Sequence, residues 1–331
     1  MTESEGKSRR AGRAVMQRLL RNELFGLLIA LLIIILAFSI LSPYFLTLEN
    51  WLNIGIQTSI FFILSCGMTI VILTRGIDLS VAAVLALASV LSAQSLLLFD
   101  NSIFIALIVG LLVGLLFGLL NGLLVVYAAI EPFLVTLGTM SMARGAALLF
   151  AQGSVVPVKN ERFVFLFADG QLLQVPLLIL YSAVIFALLH TLLRTSRLGR
   201  NVYAVGGNPT AALLSGINIK RIRVFAYTLS GLLAGFSGLV ATGRLSAGLP
   251  NYGSGLELDA ISAAVLGGTS FMGGKGSIIG TIIGAMIIAI IDNGLNLLGI
   301  NFYTRLIIKG GIIVAAMYWD HLRQVSLSGN K

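Results

Sequence analysis

Apolar runs of about 20 residues, separated by short polar or turn-forming stretches, repeat along almost the whole chain. As a helix, a run of that length crosses a bilayer core of ~30 Å. The first run is Leu24–Leu41, closed by Ser42-Pro43, and Leu46–Asn53 reads as a short external segment. Further spans are expected over Ile54–Thr74, Leu79–Leu98, Phe104–Ala129, Phe133–Ala151 and Pro176–Leu193. They continue with Val224–Gly243, a short Asp259–Met272, Ser277–Leu298 and Tyr303–Trp319. The expected fold class is all-α: a polytopic transmembrane helical bundle of about ten spans.

Two polar stretches interrupt this pattern. Residues 152–175 carry Pro157, Lys159, Glu161, Arg162 and Asp169 and are expected to form an outer loop. Residues 194–223 hold a dense group of basic residues and the turn Gly206-Gly207-Asn208-Pro209. Asn208 suits a helix N-cap and Pro209 the first helical position, so Thr210–Gly216 reads as about two helical turns ended by Gly216. Ala211, Ala212, Leu213 and Leu214 would form an apolar knob beside basic residues. Either this helix is buried in its own loop or a soluble partner reads it.

Composition supports the membrane reading. The chain is 57% apolar and 11% charged, with a mean hydropathy of +0.99, whereas soluble domains carry about 25% charged residues. The net charge of +9 invites a nucleic-acid reading, but the cations follow topology instead. Sixteen of the 22 Lys and Arg fall on one side under these spans: six before residue 24, Arg75, six in 194–223, Lys275, Arg323 and Lys331. Basic loops face the cytoplasm, which predicts a cytoplasmic tail (1–23), a membrane domain (24–319) with a cytoplasmic insert (194–223), and a cytoplasmic tail (320–331). No nucleic-acid partner is implied. The first run lacks a small-residue cleavage site and reads as an uncleaved span.

The chain repeats itself. Residues 78–89 align without gaps to residues 259–270 with six of twelve positions identical: the Asp, the Ala-Ala-Val-Leu core and the last Ser. Gly110, Gly114 and Gly118 recur as Gly276, Gly280 and Gly284, and Asn121-Gly122 as Asn293-Gly294. Asp78 begins a span leaving the cytoplasm and Asp259 one entering it. The halves are therefore expected to be inverted repeats, a plan in which a solute path lies at the repeat interface. The glycine series offers faces for close helix packing.

Candidate chemistry is sparse. His190 and His321 have no neighbours at metal-ligand spacing, and the single cysteine, Cys66, sits in an apolar run and reads as packing. Residues 273–277 fail the phosphate-loop pattern, because Thr269 stands where the first Gly belongs and Gly276 follows the Lys. Intramembrane charges are expensive and point to function or to strong partners. Asp78 and Asp259, at span starts, fit either helix capping or a gating and pathway role. Asp292, Asn293 and Asn296 are further pathway candidates, with Asp292 and Asn296 on one helix face. Arg144 needs a carboxylate or carbonyl partner, and Arg244 could pair with Glu257 across the outer loop.

Four segments together resemble the permease subunits of bacterial ABC sugar importers of the ribose type. They are Thr-Arg-Gly-Ile-Asp-Leu-Ser (74–80), Leu-Gly-Arg through Ser-Gly-Ile (198–217), Glu-Leu-Asp-Ala-Ile through Gly-Gly-Lys-Gly (257–276) and Asn-Gly-Leu-Asn-Leu-Leu-Gly (293–299). One departure stands out: Arg75 and Ala82 occupy places where the family has a small residue and a glycine. The resemblance implies a non-enzymatic, multi-pass subunit of the bacterial inner membrane, paired as a homodimer or with a similar permease. It implies a cytoplasmic ATPase that holds ATP and Mg, a periplasmic sugar-binding protein, and no cofactor on this chain. The segment Asn208, Pro209, Ala211, Ala212, Leu213, Leu214, Ser215 and Gly216 would contact the ATPase. Ribose is the expected solute, with another monosaccharide or autoinducer-2 as rivals within the class. An ion-coupled secondary transporter using Asp78, Asp259 or Asp292 is the reading from another class.

Overall fold

The computed structural model describes residues 23–301, 303–312, 314, 315 and 318. Calls on the two tails, and on His321, lie outside the described residues. Among the described residues, eight helices are long and apolar enough to cross a membrane. They are α1 (Glu23–Leu41), α2 (Leu48–Leu73), α3 (Val81–Leu98), α4 (Ile103–Val126), α5 (Pro132–Phe150), α7 (Leu177–Thr195), α10 (Ile219–Leu245) and α12 (Ile278–Leu297). The shorter elements are α6 (Glu161–Val164), α8 (Arg197–Gly207), α9 (Pro209–Leu214), α11 (Leu256–Leu266) and a helical stretch over 303–312, here α13.

Polar residues at the ends of the apolar runs start the helices. Thr47, Ser102, Asn218 and Ser277 each accept a backbone N–H three residues on, capping α2, α4, α10 and α12, and such caps contribute about 1 kcal/mol each. These caps move two expected boundaries. Residues 48–53, read as an external segment, form the first turns of α2, because Thr47 captures Asn50 N–H. Ile219–Arg223, read as part of the insert, begin α10, because Asn218 captures Arg221 N–H.

Two expected spans differ more. The run from Asp259 to Met272 is helical only to Leu266, since Gly267 and Gly268 stop it and Gly268 turns left-handed at φ 86°. Eleven residues rise ~16 Å, about half a bilayer core. Of the last expected span, 303–312 is helical and most later residues lie outside the described set.

The polar stretch 152–175 is built rather than loose. Val156-Pro157 pairs antiparallel with Ala247-Gly248 just beyond α10. Next, α6 runs into one π-helical turn, Phe165–Asp169, which buries Phe163 and Phe167 against the bundle. The Phe163 and Phe167 ring centroids are 4.8 Å apart. A hairpin, Gln171-Leu172 with Val175-Pro176, leads into α7.

Burial sorts the helices into layers. Helices α2, α3, α10 and α12 are mostly buried, whereas α1, α4, α5 and α7 keep wide apolar exposure, as with Leu32, Ile33, Leu36 and Leu112. Apolar side chains facing outward are what a lipid environment accepts. Helices α4 and α10 pack closely through glycines. A Cβ on Gly114 would overlap the Gly231 carbonyl, and one on Gly231 would overlap the Gly114 carbonyl. Gly280 and Gly284 do the same for α12 against Gly267, just past α11, and Ala263 of α11. The repeating glycines are thus packing faces, while Gly276 lies in a turn at φ 146°. Cys66 is buried and free.

Candidate functional site

The insert between α7 and α10 is two short helices. Ser196 ends α7 and caps α8, accepting Gly199 N–H at 3.0 Å. Asn208 then caps α9: its Oδ1 accepts Ala211 N–H at 3.0 Å, and Pro209 takes the first helical position. Gly216 closes α9 at φ 77°, and Ile217 N–H reaches back to the Ala212 carbonyl at 3.0 Å. Ala211, Leu213, Leu214 and Ser215 face outward, with Leu214 83% exposed. Ala212 does not: it packs into the core, so the apolar knob consists of Ala211, Leu213 and Leu214.

The insert is clamped to two turns, one just before the first short repeat and one just after the second. After α2, Arg75 donates from Nε to the Gly206 carbonyl at 2.6 Å and from Nη2 to that of Gly207 at 2.9 Å. From the turn after α11, Gly274 N–H donates to the Leu73 carbonyl at 3.0 Å. Tyr203 Oη donates to the Gly276 carbonyl at 2.9 Å, and burial pushes the Tyr203 phenol up, so it stays a donor at neutral pH. Gly206 fits because any Cβ would overlap the Leu73 carbonyl. The ends of both short repeats therefore meet on one side, the insert side, with α3 leaving it and α11 arriving at it.

Asp78 is buried beside this layer, and it forms no ion pair among the described residues. Its Oδ1 accepts from Ser80 N–H (3.1 Å), Ser80 Oγ (2.6 Å) and Asn121 Nδ2 (3.4 Å), and its Oδ2 from Ser230 Oγ (3.0 Å). Asn121 also donates to Ser80 Oγ at 2.8 Å and accepts from Thr139 at 2.7 Å. The carboxylate thus holds the start of α3 to α4 and α10, and Thr139 extends the network to α5.

Asp259 occupies a different environment. It is paired with Lys309 of α13 at 3.0 Å. The same ammonium is 3.8 Å from Asp292 of α12, and Arg305 is 3.6 Å from Asp292. Gln57 of α2 donates to Asp292 at 2.9 Å, and Lys309 lies 5.8 Å from the Phe61 ring centroid. Gln57, Phe61, Asp259, Asp292 and Lys309 border a cavity of about 670 Å³ that also touches Arg244 and residues 251–256.

Other candidates separate from this group. Asn293 donates to Asn50 Oδ1 at 2.9 Å, tying α12 to the start of α2. Asn296, expected on one polar interior face with Asp292, is exposed and lies outside the cavity, because α12 is at its last turn there. Arg144 finds carbonyls: Nη1 donates to Pro250 at 2.6 Å and Tyr252 at 3.1 Å, and it interacts electrostatically with Glu257. Arg244 and Glu257 form no ion pair among the described residues. Sequence reasoning noted Arg75 and Asn121 without their partners and missed Ser230, Gln57 and Lys309 as partners of the aspartates. Lys309 was detectable as an intramembrane cation, and the others become informative only once helices are placed side by side.

Comparison with known proteins bears on all of this. The family model described as "Branched-chain amino acid transport system / permease component" matches residues 50–317. The ribose import permease protein of Escherichia coli (strain K12) is 42% identical over 300 residues, covering 90% of this chain and 93% of that protein. The ribose import permease protein of Bacillus subtilis (strain 168) is 43% identical over 307 residues, covering 92% and 93%. The D-allose transport system permease protein of Escherichia coli (strain K12) is 40% identical over 299 residues, covering 90% and 91%. No solved structure matches the chain.

Proposed function

The chain belongs to the branched-chain amino acid transport system / permease component family, and on that premise we propose that it is the membrane-spanning subunit of an ABC importer that carries ribose across the bacterial inner membrane. The observation that carries this reading is the identity of 42–43% with ribose import permeases over nine-tenths of the chain.

In this reading ATP and Mg are held by a separate cytoplasmic ATPase, and a periplasmic binding protein delivers the sugar. A second permease copy completes the path, as a homodimer. The insert side faces the cytoplasm, where the exposed Leu213 and Leu214 of α9 meet the ATPase. Motion received by α9 and α8 passes through Arg75, Tyr203 and Gly274 to the turns after α2 and α11 together. An insert bonded to both turns can displace both with one push. The inverted-repeat reading rests on the opposite directions of α3 and α11 and on their shared 78–89 and 259–270 pattern.

Membrane vesicles carrying the chain with its ATPase and binding protein test the proposal. Uptake of labelled ribose is expected to need ATP and to survive an ionophore. Uptake abolished by the ionophore and indifferent to ATP depletion would replace it with ion coupling through Asp78, Asp259 or Asp292.

A further inference from the structure

The two repeat-related aspartates differ in one respect that matters for a solute. Asp78 is closed in by short neutral donors, while Asp259 opens on the cavity between α2, α11, α12 and α13. Asp292 lies five residues from the end of α12 that is remote from the insert, and Gln57 and Phe61 lie in the matching part of α2. The cavity is therefore in the half of the bundle remote from the insert. Its wall at Gly253 and Gly255 is backbone at φ 77° and 93°.

The lining fits one chemical class. The charged residues that line it are two carboxylates, Asp259 and Asp292, and two cations, Lys309 and Arg244, so the charges of the lining sum to zero. Arg244 is exposed at the mouth. In a medium of low dielectric, a charged solute added to this balanced set would remain uncompensated. A neutral solute carries no such penalty. One rich in hydroxyls can donate to the carboxylates and accept from Lys309 and Gln57 at once. Phe61 and Tyr252 supply aromatic surface for the apolar face of a ring. A volume of about 670 Å³ is in the range of small-molecule sites.

We propose that this cavity is an occupancy site for a neutral polyhydroxylated solute, a monosaccharide in transit, bounded by Gln57, Phe61, Asn251 and the Asp259–Lys309 pair. The proposal rests on the reading of the chain as a sugar permease and assigns a sugar contact within the permease itself.

The test uses the assembled transporter in vesicles. Phe61→Ala and Asn251→Ala are each expected to lower the maximal rate of ribose uptake about 3- to 10-fold at equal membrane abundance, the effect of one lost contact. ATP hydrolysis stimulated by the binding protein is expected to stay within about twofold of wild type. A second measurement covers variants that fail to assemble. Because the only cysteine, Cys66, is buried, the thiol introduced by Asn251→Cys can be labelled selectively with a membrane-impermeant maleimide. Ribose with ATP and binding protein is expected to slow that labelling at least about threefold. Wild-type uptake by both alanine variants, or labelling indifferent to sugar, overturns the site. Wild-type vesicles that take up no sugar at all overturn the permease reading instead.

Discussion

Arg75 Nε lies 2.6 Å from the Gly206 carbonyl oxygen, joining the turn after α2 to the C-terminal end of α8. Its backbone is left-handed at φ 65°, a region that costs a residue with a Cβ about 1–2 kcal/mol. Two bonds from a guanidinium to helix-end carbonyls, where the dipole is negative, offset that strain. Arg75→Gly removes strain and tether together and is expected to melt close to wild type. Arg75→Ala keeps the strain and loses the tether, so it should be less stable by about 1–3 kcal/mol. Thermal unfolding of the solubilised protein gives the order. Equal melting of the two variants would show that the turn is unstrained.

On α9 the exposed and buried sides separate docking from folding. Leu214→Glu alters only an 83% exposed side chain and should leave abundance and ATPase content unchanged while abolishing coupled uptake. Ala212→Glu forces a carboxylate into the core, a burial worth several kcal/mol, and should deplete the protein from the membrane. Gly216→Pro cannot reach φ 77° and should unravel the end of α9. Normal uptake by Leu214→Glu would remove α9 from the coupling role.

The α4–α10 contact predicts a sharp positional effect for one methyl group. Gly114→Ala drives a Cβ into the Gly231 carbonyl and should destabilise by about 1–3 kcal/mol, the usual range for overpacking. Gly26→Ala, on the exposed side of α1 with nothing within 4 Å, should be neutral or stabilising by up to ~1 kcal/mol. Melting temperatures of the two variants, purified side by side, check this. Similar shifts would mean that the two helices have room to separate.

Much of this was legible in the sequence because bilayer thickness and helix rise fix span lengths, and because Asn208-Pro209 and Gly216 carry their own backbone chemistry. The short α11 was legible only in part, since Gly267-Gly268 sits inside an otherwise apolar run. What one-dimensional pattern does not encode is lateral neighbourhood. Asn121 and Ser230 lie 43 and 152 residues from Asp78, and Lys309 lies 50 from Asp259. Asn296 shared a helix face with Asp292 by spacing, yet where α12 ends decided its exposure.

The contrast between the two aspartates yields the last prediction. At Asp78 all partners among the described residues are neutral and two are hydroxyls, of Ser80 and Ser230. In Asp78→Asn the amide oxygen can keep Ser80 N–H and Asn121, while the new NH₂ faces Ser230, whose hydroxyl rotates to accept. That exchange should cost less than about 1.5 kcal/mol, whereas Asp78→Ala strands the Ser230 hydroxyl, the Ser80 hydroxyl and Ser80 N–H and should cost at least ~3 kcal/mol. At Asp259 the partner is a cation. Lys309→Met leaves a buried carboxylate without its nearest cation and should cost about 3–5 kcal/mol, and the double variant with Asp259→Asn should recover most of that loss. Thermal unfolding gives these energies, and uptake by Asp78→Asn separates two roles for the residue. If Asp78 only holds the start of α3, the amide transports sugar at close to the wild-type rate. If its ionised form is part of the path, uptake collapses although the protein remains folded.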